Sequence, residues 1–229
     1  MTDYTNFANT VLQLGKMTFN YNFIAIEGNI GAGKTSLATR FAAEFNARLI
    51  LEQFEENTFL PKFYENPVKY AFPLELTFLA ERYQQLKDQL SPQDMFKAFT
   101  VADYFIHKSL IFASRNLSGD ELTLYTRLFN IIEGVLPKPD LLIYLYLDID
   151  NLKRNIKDRG RVYEQNIQSG YLEKIQQGYL DFLRQQHKMR ILIIDTNQLD
   201  FVNLPDDYYK ILEVMTGTYE PGVHRITIR

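Results

Sequence analysis

Residues 24–37 read "IAIEGNIGAGKTSL". An apolar run ends at a glycine, a glycine-rich turn follows, and lysine, threonine and serine open an amphipathic stretch. Gly28, Gly33, Lys34 and Thr35 satisfy the pattern G-x-x-x-x-G-K-[ST] in full. The flanks are those the pattern needs, a strand before it and a helix after it. Asn29, Ile30, Gly31 and Ala32 make up the loop between, and Ser36 follows it. Glycine leaves room for backbone N–H groups to converge on phosphate oxygens. A helix starting near Lys34 adds the positive end of its dipole. Lys34 supplies a point charge to the β and γ phosphates, and the Thr35 hydroxyl suits Mg2+. The bland alternative is a glycine turn with a chance lysine, and the intact flanks weigh against it.

The rest of the chain is read outward from that loop. "FIAIE" (23–27) is a short buried strand. Leu37, Phe41 and Phe45 then recur at helical spacing on one face of 35–47. A strand is expected over 48–54, and a loop with a short helix over 56–73, where three prolines interrupt. A helix follows over 74–90, then a strand running into a loop over 98–105. Helices are expected over 107–117 and 119–136. "PDLLIYLYLDID" (139–150) is the strongest strand, apolar nearly throughout, as a parallel strand covered on both faces should be. A charged helix (151–161), a helix (171–187) and a strand (189–197) complete the pattern. Strands alternating with helices after a strand–loop–helix opening imply an α/β fold of the P-loop NTPase type. Its parallel sheet is flanked by helices, with a helical lid at about 151–167.

Composition sets limits. A chain of 229 residues suits one domain, with 1–20 as an N-terminal extension. Neither that extension nor the tail "TGTYEPGVHRITIR" suggests a role. Net charge is −3 without a basic block, so nucleic acid is not an expected partner. No apolar run is long enough to span a bilayer, and the N-terminus lacks the pattern of a signal peptide. With no cysteine there is no thiolate chemistry, which agrees with a cytoplasmic protein.

Several charged residues stand where chemistry is done. Glu52 closes the second strand, and ligands in open parallel sheets lie beyond the carboxyl ends of strands. It is either a base that orients an attacking hydroxyl or a solvated strand-end glutamate. Arg154, Lys157, Arg159 and Arg161 crowd around Gly160. A solvated helix face is the usual reading of such a run. A break inside the cluster favours a lid that closes over phosphates. Glu75 sits among Leu74, Leu76, Phe78 and Leu79, where a carboxylate needs a partner. Arg82 lies two turns on along the same face, so the two form either an internal ion pair or a ligand-reading pair. Tyr64, taken alone, reads as core. His107, His187 and His224 lack metal-ligand spacing and read as packed or solvated.

Together these pieces resemble the deoxyribonucleoside kinases, and in particular the bacterial deoxyadenosine and deoxyguanosine kinases. The likeness runs from about 23 to about 202. "EGNIGAGKTSL" is similar to the family's phosphate loop, and "LILEQ" places Glu52 at its general base. "LPKFYENPVKYAFPLELTFLAERYQQ" is similar to the substrate segment. It puts Tyr64 on the 3′-hydroxyl and Arg82 beside the base. "KRNIKDRGRVYEQNIQSGYLEKI" resembles the lid, with Arg154, Arg159 and Arg161 on phosphates and Glu164 on the 3′-hydroxyl. "IIDTNQLDF" resembles the loop around the adenine of ATP.

The resemblance implies Mg2+ with ATP as donor, a deoxynucleoside acceptor and a homodimer, to which "ELTLYTRLFNIIEGVL" would give a face. The chain departs from the family pattern twice. Glu75 stands where glutamine is usual. An ionised carboxylate only accepts hydrogen bonds, so it favours the N6 amino group of adenine or the N1–H and N2–H of guanine over thymine. That chemistry does not separate the purines; the likeness of the segment leans to deoxyadenosine. The third strand reads "VADYFIHKS", without the usual arginine. Asp103 there serves Mg2+ through water and borders the substrate, with Lys108 as a weaker substitute for the arginine. A nucleoside monophosphate kinase and a non-catalytic ATP-binding switch are the competing expectations.

Overall fold

The computed structural model describes residues 19–53, 57–90 and 96–228. Most of the expected extension, residues 1–18, lies outside them. All six strands join one sheet: β1 (Phe23–Gly28), β2 (Arg48–Ile50), β3 (Thr100–Ala102), β4 (Leu141–Tyr146), β5 (Arg190–Asp195) and β6 (Gly222–Thr227). Their order is β2-β3-β1-β4-β5-β6, and every neighbouring pair is parallel. The eight helices among the described residues are α1 (Lys34–Glu44), α2 (Phe59–Glu65), α3 (Pro67–Leu90), α4 (His107–Asn116), α5 (Gly119–Glu133), α6 (Ile149–Arg159), α7 (Ser169–Arg184) and α8 (Pro205–Met215).

Strand alternation divides the core between the two faces of the sheet. Ile24 and Ile26 of β1 join Leu37 and Phe41 of α1 in one cluster. Phe23 and Ala25 join Leu74, Phe78 and Leu79 of α3 in the other. Helices on both faces keep β1 wholly buried and β4 nearly so, which is why these strands carry almost no polar side chains. The strand order reverses direction at β1, flanked by β3 and β4. A crevice therefore opens beyond its carboxyl end, and there the chain places its glycine loop.

The expected α/β fold with a parallel, helix-flanked sheet is found, with local differences. β2 ends at Ile50, so Glu52 lies in the segment beyond the strand rather than within it. The proline-bearing stretch is two helices, not a loop with one short helix. Pro61 and Pro67 occupy first turns, where a missing N–H costs no helical bond. Helix α3 runs on through Pro73, anchored by burial of Ala71 before it and Leu74 and Phe78 after it. The tail, for which no role was expected, supplies β6, paired to β5 from Arg190↔Gly222 to Asp195↔Thr227. No helix among the described residues is long and apolar enough to cross a membrane.

Candidate active site

Two adjoining cavities lie beyond the carboxyl edge of β1, one of about 100 Å³ and one of about 700 Å³. Their linings share Gly31, Lys34, Thr35, Glu52, Asp103, Arg159 and Arg161. The larger cavity adds Ala32, Gly33, Ser36 and Arg154, and the segment from Thr196 to Asn203. The smaller adds Ile30, Tyr64, Glu75, Arg82, Glu164 and a ring of apolar and aromatic side chains. Gly28 and Asn29 line neither. Asn29 turns inward instead, and its amide donates to the Leu172 carbonyl at 2.8 Å, tying the loop to α7.

The glycine loop is shaped by close approach. Gly33 has φ 84°, and a Cβ there would stand 2.6 Å from the Phe201 ring, so the position is closed to other residues on both counts. Lys34 folds back and donates to the Asn29 carbonyl at 2.9 Å. Burial, with Lys108 nearby, lowers its pKa to about 8.

Asp103 ties three strands' ends together. Its Oδ2 accepts from the Thr35 hydroxyl at 2.6 Å, and its Oδ1 accepts from the Glu52 N–H at 2.7 Å. The turn that carries it is held by Glu27, which accepts from the Phe105 N–H at 2.7 Å and the Tyr179 hydroxyl at 2.8 Å. Asp103 of "VADYF" is thus the residue that faces the loop.

Glu52 lies between two cations. Its Oε1 accepts from Arg82 at 2.7 and 2.9 Å, and its Oε2 accepts from Lys108 at 2.5 Å. Burial alone would raise its pKa, but Lys108 and Arg82 outweigh burial and hold it at about 2. Of the two alternatives for Glu75 and Arg82, the internal ion pair does not form, while both side chains line the smaller cavity. Arg82 is engaged by Glu52 and by the Ser109 hydroxyl at 2.8 Å. Glu75 accepts from the Asn116 amide at 2.6 Å instead.

A scan for families matches residues 24–218 to the deoxynucleoside kinase model.

The chain belongs to the deoxynucleoside kinase family.

It is therefore an enzyme, a phosphotransferase whose acceptor is a deoxynucleoside. A deoxyguanosine kinase of Bacillus subtilis is 38% identical, covering 82% of this chain and 93% of its own length. A deoxyadenosine kinase of Dictyostelium discoideum is 30% identical, covering 90% of this chain and 82% of its own. A solved deoxyadenosine kinase from M. mycoides with bound dATP superposes with TM-score 0.73 at 23% identity, covering 85% of this chain and all of that one. The last confirms the fold.

The segment expected as a lid, about 151–167, falls on α6 and the turn after it. Gly160 caps α6 in the left-handed conformation, φ 75°. A single helical turn, Val162–Glu164, then brings Glu164 into the site. Arg159 and Arg161 both pair with Glu164, whereas Lys157 is exposed and lines neither cavity. Tyr64, read as core when taken alone, lies in the cavity wall and stacks on Tyr163 with ring centres 6.1 Å apart. His107 is packed among Phe105, Phe129 and Phe182, and burial lowers its pKa to about 4.

Reading the sequence missed Asn116, Ser109, Tyr171 and Phe112 as neighbours of the substrate segment. It named Lys108 only as a substitute near Asp103, whereas the kinase uses it on Glu52. An arginine-free third-strand motif followed by one lysine was the only available signal.

Proposed function

We propose that this kinase transfers the γ-phosphoryl group of ATP, with Mg2+, to the 5′-hydroxyl of a purine deoxynucleoside. One observation carries the acceptor reading. Glu75, a buried carboxylate, lies in the wall of the smaller cavity, and its Oε2 has no hydrogen-bond partner among the described residues. Such an atom calls for a donor from the ligand. Guanine presents two adjacent N–H groups, and adenine presents its amino group; thymine offers a single N–H between carbonyls.

With Oε2 open beside Oε1, the ionised form of Glu75 favours deoxyguanosine over the deoxyadenosine to which the segment's likeness leaned. Ionised Glu75 meets a donor with each oxygen on guanine, but the N1 lone pair of adenine repels it. A relative named a deoxyguanosine kinase, 38% identical, supports the same direction.

The roles of the remaining residues follow from where they stand. The larger cavity takes ATP, with its phosphates on the loop from Gly31 to Ser36 and within reach of Arg154. Mg2+ favours hard oxygen donors and keeps several of its waters. The Thr35 hydroxyl and the Asp103 carboxylate suit it, and the described residues hold no cluster of three or more His, Cys, Asp or Glu side chains. A bound Mg2+ would offset charge on the phosphates.

Glu52, in both linings, orients the 5′-hydroxyl and accepts its proton as the bond to phosphorus forms. The transition state is loose, so positioning matters more than basicity, and a carboxylate held at low pKa suffices. Arg159 and Arg161 leave Glu164 to stabilise the charge on the transferring group. Tyr64 and Glu164 hold the 3′-hydroxyl.

A monophosphate acceptor fits less well. Arg82 and Lys108, the cations of the smaller cavity's inner wall, are already taken by Glu52, and Lys62 and Lys69 line neither cavity. The family match disfavours a non-catalytic switch. Exposed Leu124, Ile131 and Val135 recur at helical spacing along α5 and just beyond it, and support the homodimer as part of the same proposal.

The test is transfer of labelled phosphate from ATP to each of the four deoxynucleosides. The expected order at about pH 8 is deoxyguanosine, then deoxyadenosine, with thymidine lower by about tenfold or more, the scale of one mismatched buried hydrogen bond, and deoxycytidine, whose amino group and N3 repeat adenine's edge, no better than deoxyadenosine. A pyrimidine in first place would overturn the reading.

A further inference from the structure

The surroundings of Glu75 are unusual for a carboxylate. It is 2% exposed. Among the described residues no cation pairs with it: Arg82, on its own helix, and Lys108, from α4, are both engaged by Glu52. Its Oε1 has the Asn116 amide, and Oε2 has no partner among the described residues. The other titratable groups facing it are phenols. Tyr171, from α7, accepts from Asn116 at 3.3 Å. Tyr125, from α5, donates to the backbone carbonyl of Glu75 at 3.4 Å. Burial raises the pKa of both phenols, so they stay neutral. Leu74, Phe78 and Phe112 supply an apolar wall. A carboxyl group without a counter-ion in such a place has two accessible states, and their hydrogen-bonding patterns differ. The anion accepts at both oxygens. The neutral acid donates at one and accepts at the other.

Of the two purines, guanine complements the first pattern and adenine the second, an edge that cytosine's N3 and amino group repeat. We propose that Glu75 selects the base through its own protonation state. The anion takes guanine by accepting from N1–H and N2–H. The acid takes adenine by donating to N1 and accepting from the N6 amino group. The inference rests on the reading of Glu75 as the base-facing group. One site thus serves both purine deoxynucleosides, with their ratio set by pH.

Burial pushes the Glu75 carboxyl up to about 7, although the Asn116 hydrogen bond and Arg82 pull it down. The sign follows. Below that value the acid predominates and deoxyadenosine is favoured. Above it the anion predominates and deoxyguanosine is favoured.

The experiment measures kcat/KM for both purine deoxynucleosides between about pH 5.5 and pH 8.5, since this parameter reports the free enzyme. The ratio of the two is the readout. Groups that act on both reactions alike, such as Lys34 and Glu52, cancel from it. The deoxyguanosine-to-deoxyadenosine ratio should rise by up to about a hundredfold between pH 6 and pH 8, because each of the two pH units changes the anion-to-acid ratio about tenfold.

Glu75→Gln, whose amide donates and accepts at every pH, should favour deoxyadenosine with a flat ratio. Asn116→Ala, which removes a donor that stabilises the anion, should move the midpoint of the rise to higher pH. A flat ratio in the native kinase overturns the inference, and does so even if neither variant folds. An unchanged slope in Glu75→Gln also overturns it, by placing the titrating group elsewhere. Neither result touches the purine reading, which fails only if a pyrimidine deoxynucleoside is preferred.

Discussion

Replacing Glu52 by glutamine is expected to lower kcat by about 10²–10⁴-fold, the usual contribution of a positioned acid–base group. The amide keeps the volume, but its one oxygen can accept from only one side, Arg82 or Lys108, and its NH2 then faces the other cation as a second donor. It cannot take the proton of the 5′-hydroxyl. Glu52→Ala loses as much activity and also removes the common partner of Arg82 and Lys108. Uncompensated buried cations cost about 3–5 kcal/mol, so both variants should melt below the parent, the alanine variant further because it also loses the side chain's volume and its remaining hydrogen bond. Single-turnover transfer from labelled ATP, beside thermal unfolding of each variant, separates the two effects. Near-normal turnover in the glutamine variant would remove Glu52 from the reaction.

Lys34→Ala should cost about 10²–10³-fold in kcat/KM, the scale of one preorganised charge on a transition state. The side chain needs little rearrangement to act. Its Nζ already rests on the Asn29 carbonyl at 2.9 Å, over the glycine loop proposed to hold the phosphates. Its pKa of about 8 adds a signature. The group is charged below that value and neutral above it, so kcat/KM should fall as pH rises past about 8 in the parent. The falling limb should be absent from the alanine variant. A limb that survives the substitution would assign it to another group.

What the sequence made legible was what lies close together along it. The phosphate loop is complete within a few residues, and its physics is local: glycine conformations, a helix start, one lysine. Glu52 was legible because parallel sheets place strand ends at one edge, even though the strand proved shorter than expected. The internal partner of Glu75 was not legible for the opposite reason. Helical spacing puts Arg82 on its face, but Arg82 is drawn to Glu52, 30 residues away in sequence. The true partner, Asn116, is 41 residues away. Lys108 meets Glu52 across 56 residues. No periodicity encodes such contacts; they exist only once α3 and α4 pack beside β2 and β3. The prolines misled because a proline is read as a break, whereas in a first turn it is compatible with the helix.

The last strand has a practical corollary. The family match ends at residue 218, before β6 begins at Gly222. A shortened kinase trimmed to the matched span would strip the outer partner from Arg190–Asp195 and leave a row of unpaired amides and carbonyls beside a strand that is almost wholly isoleucine and leucine. Such an edge is a template for sticking to another copy, and self-association would follow before any loss of chemistry. In β6 an exposed valine, Val223, and an exposed arginine, Arg225, alternate with half-buried His224 and Ile226. The tail is therefore a charged selvedge on an otherwise sticky sheet.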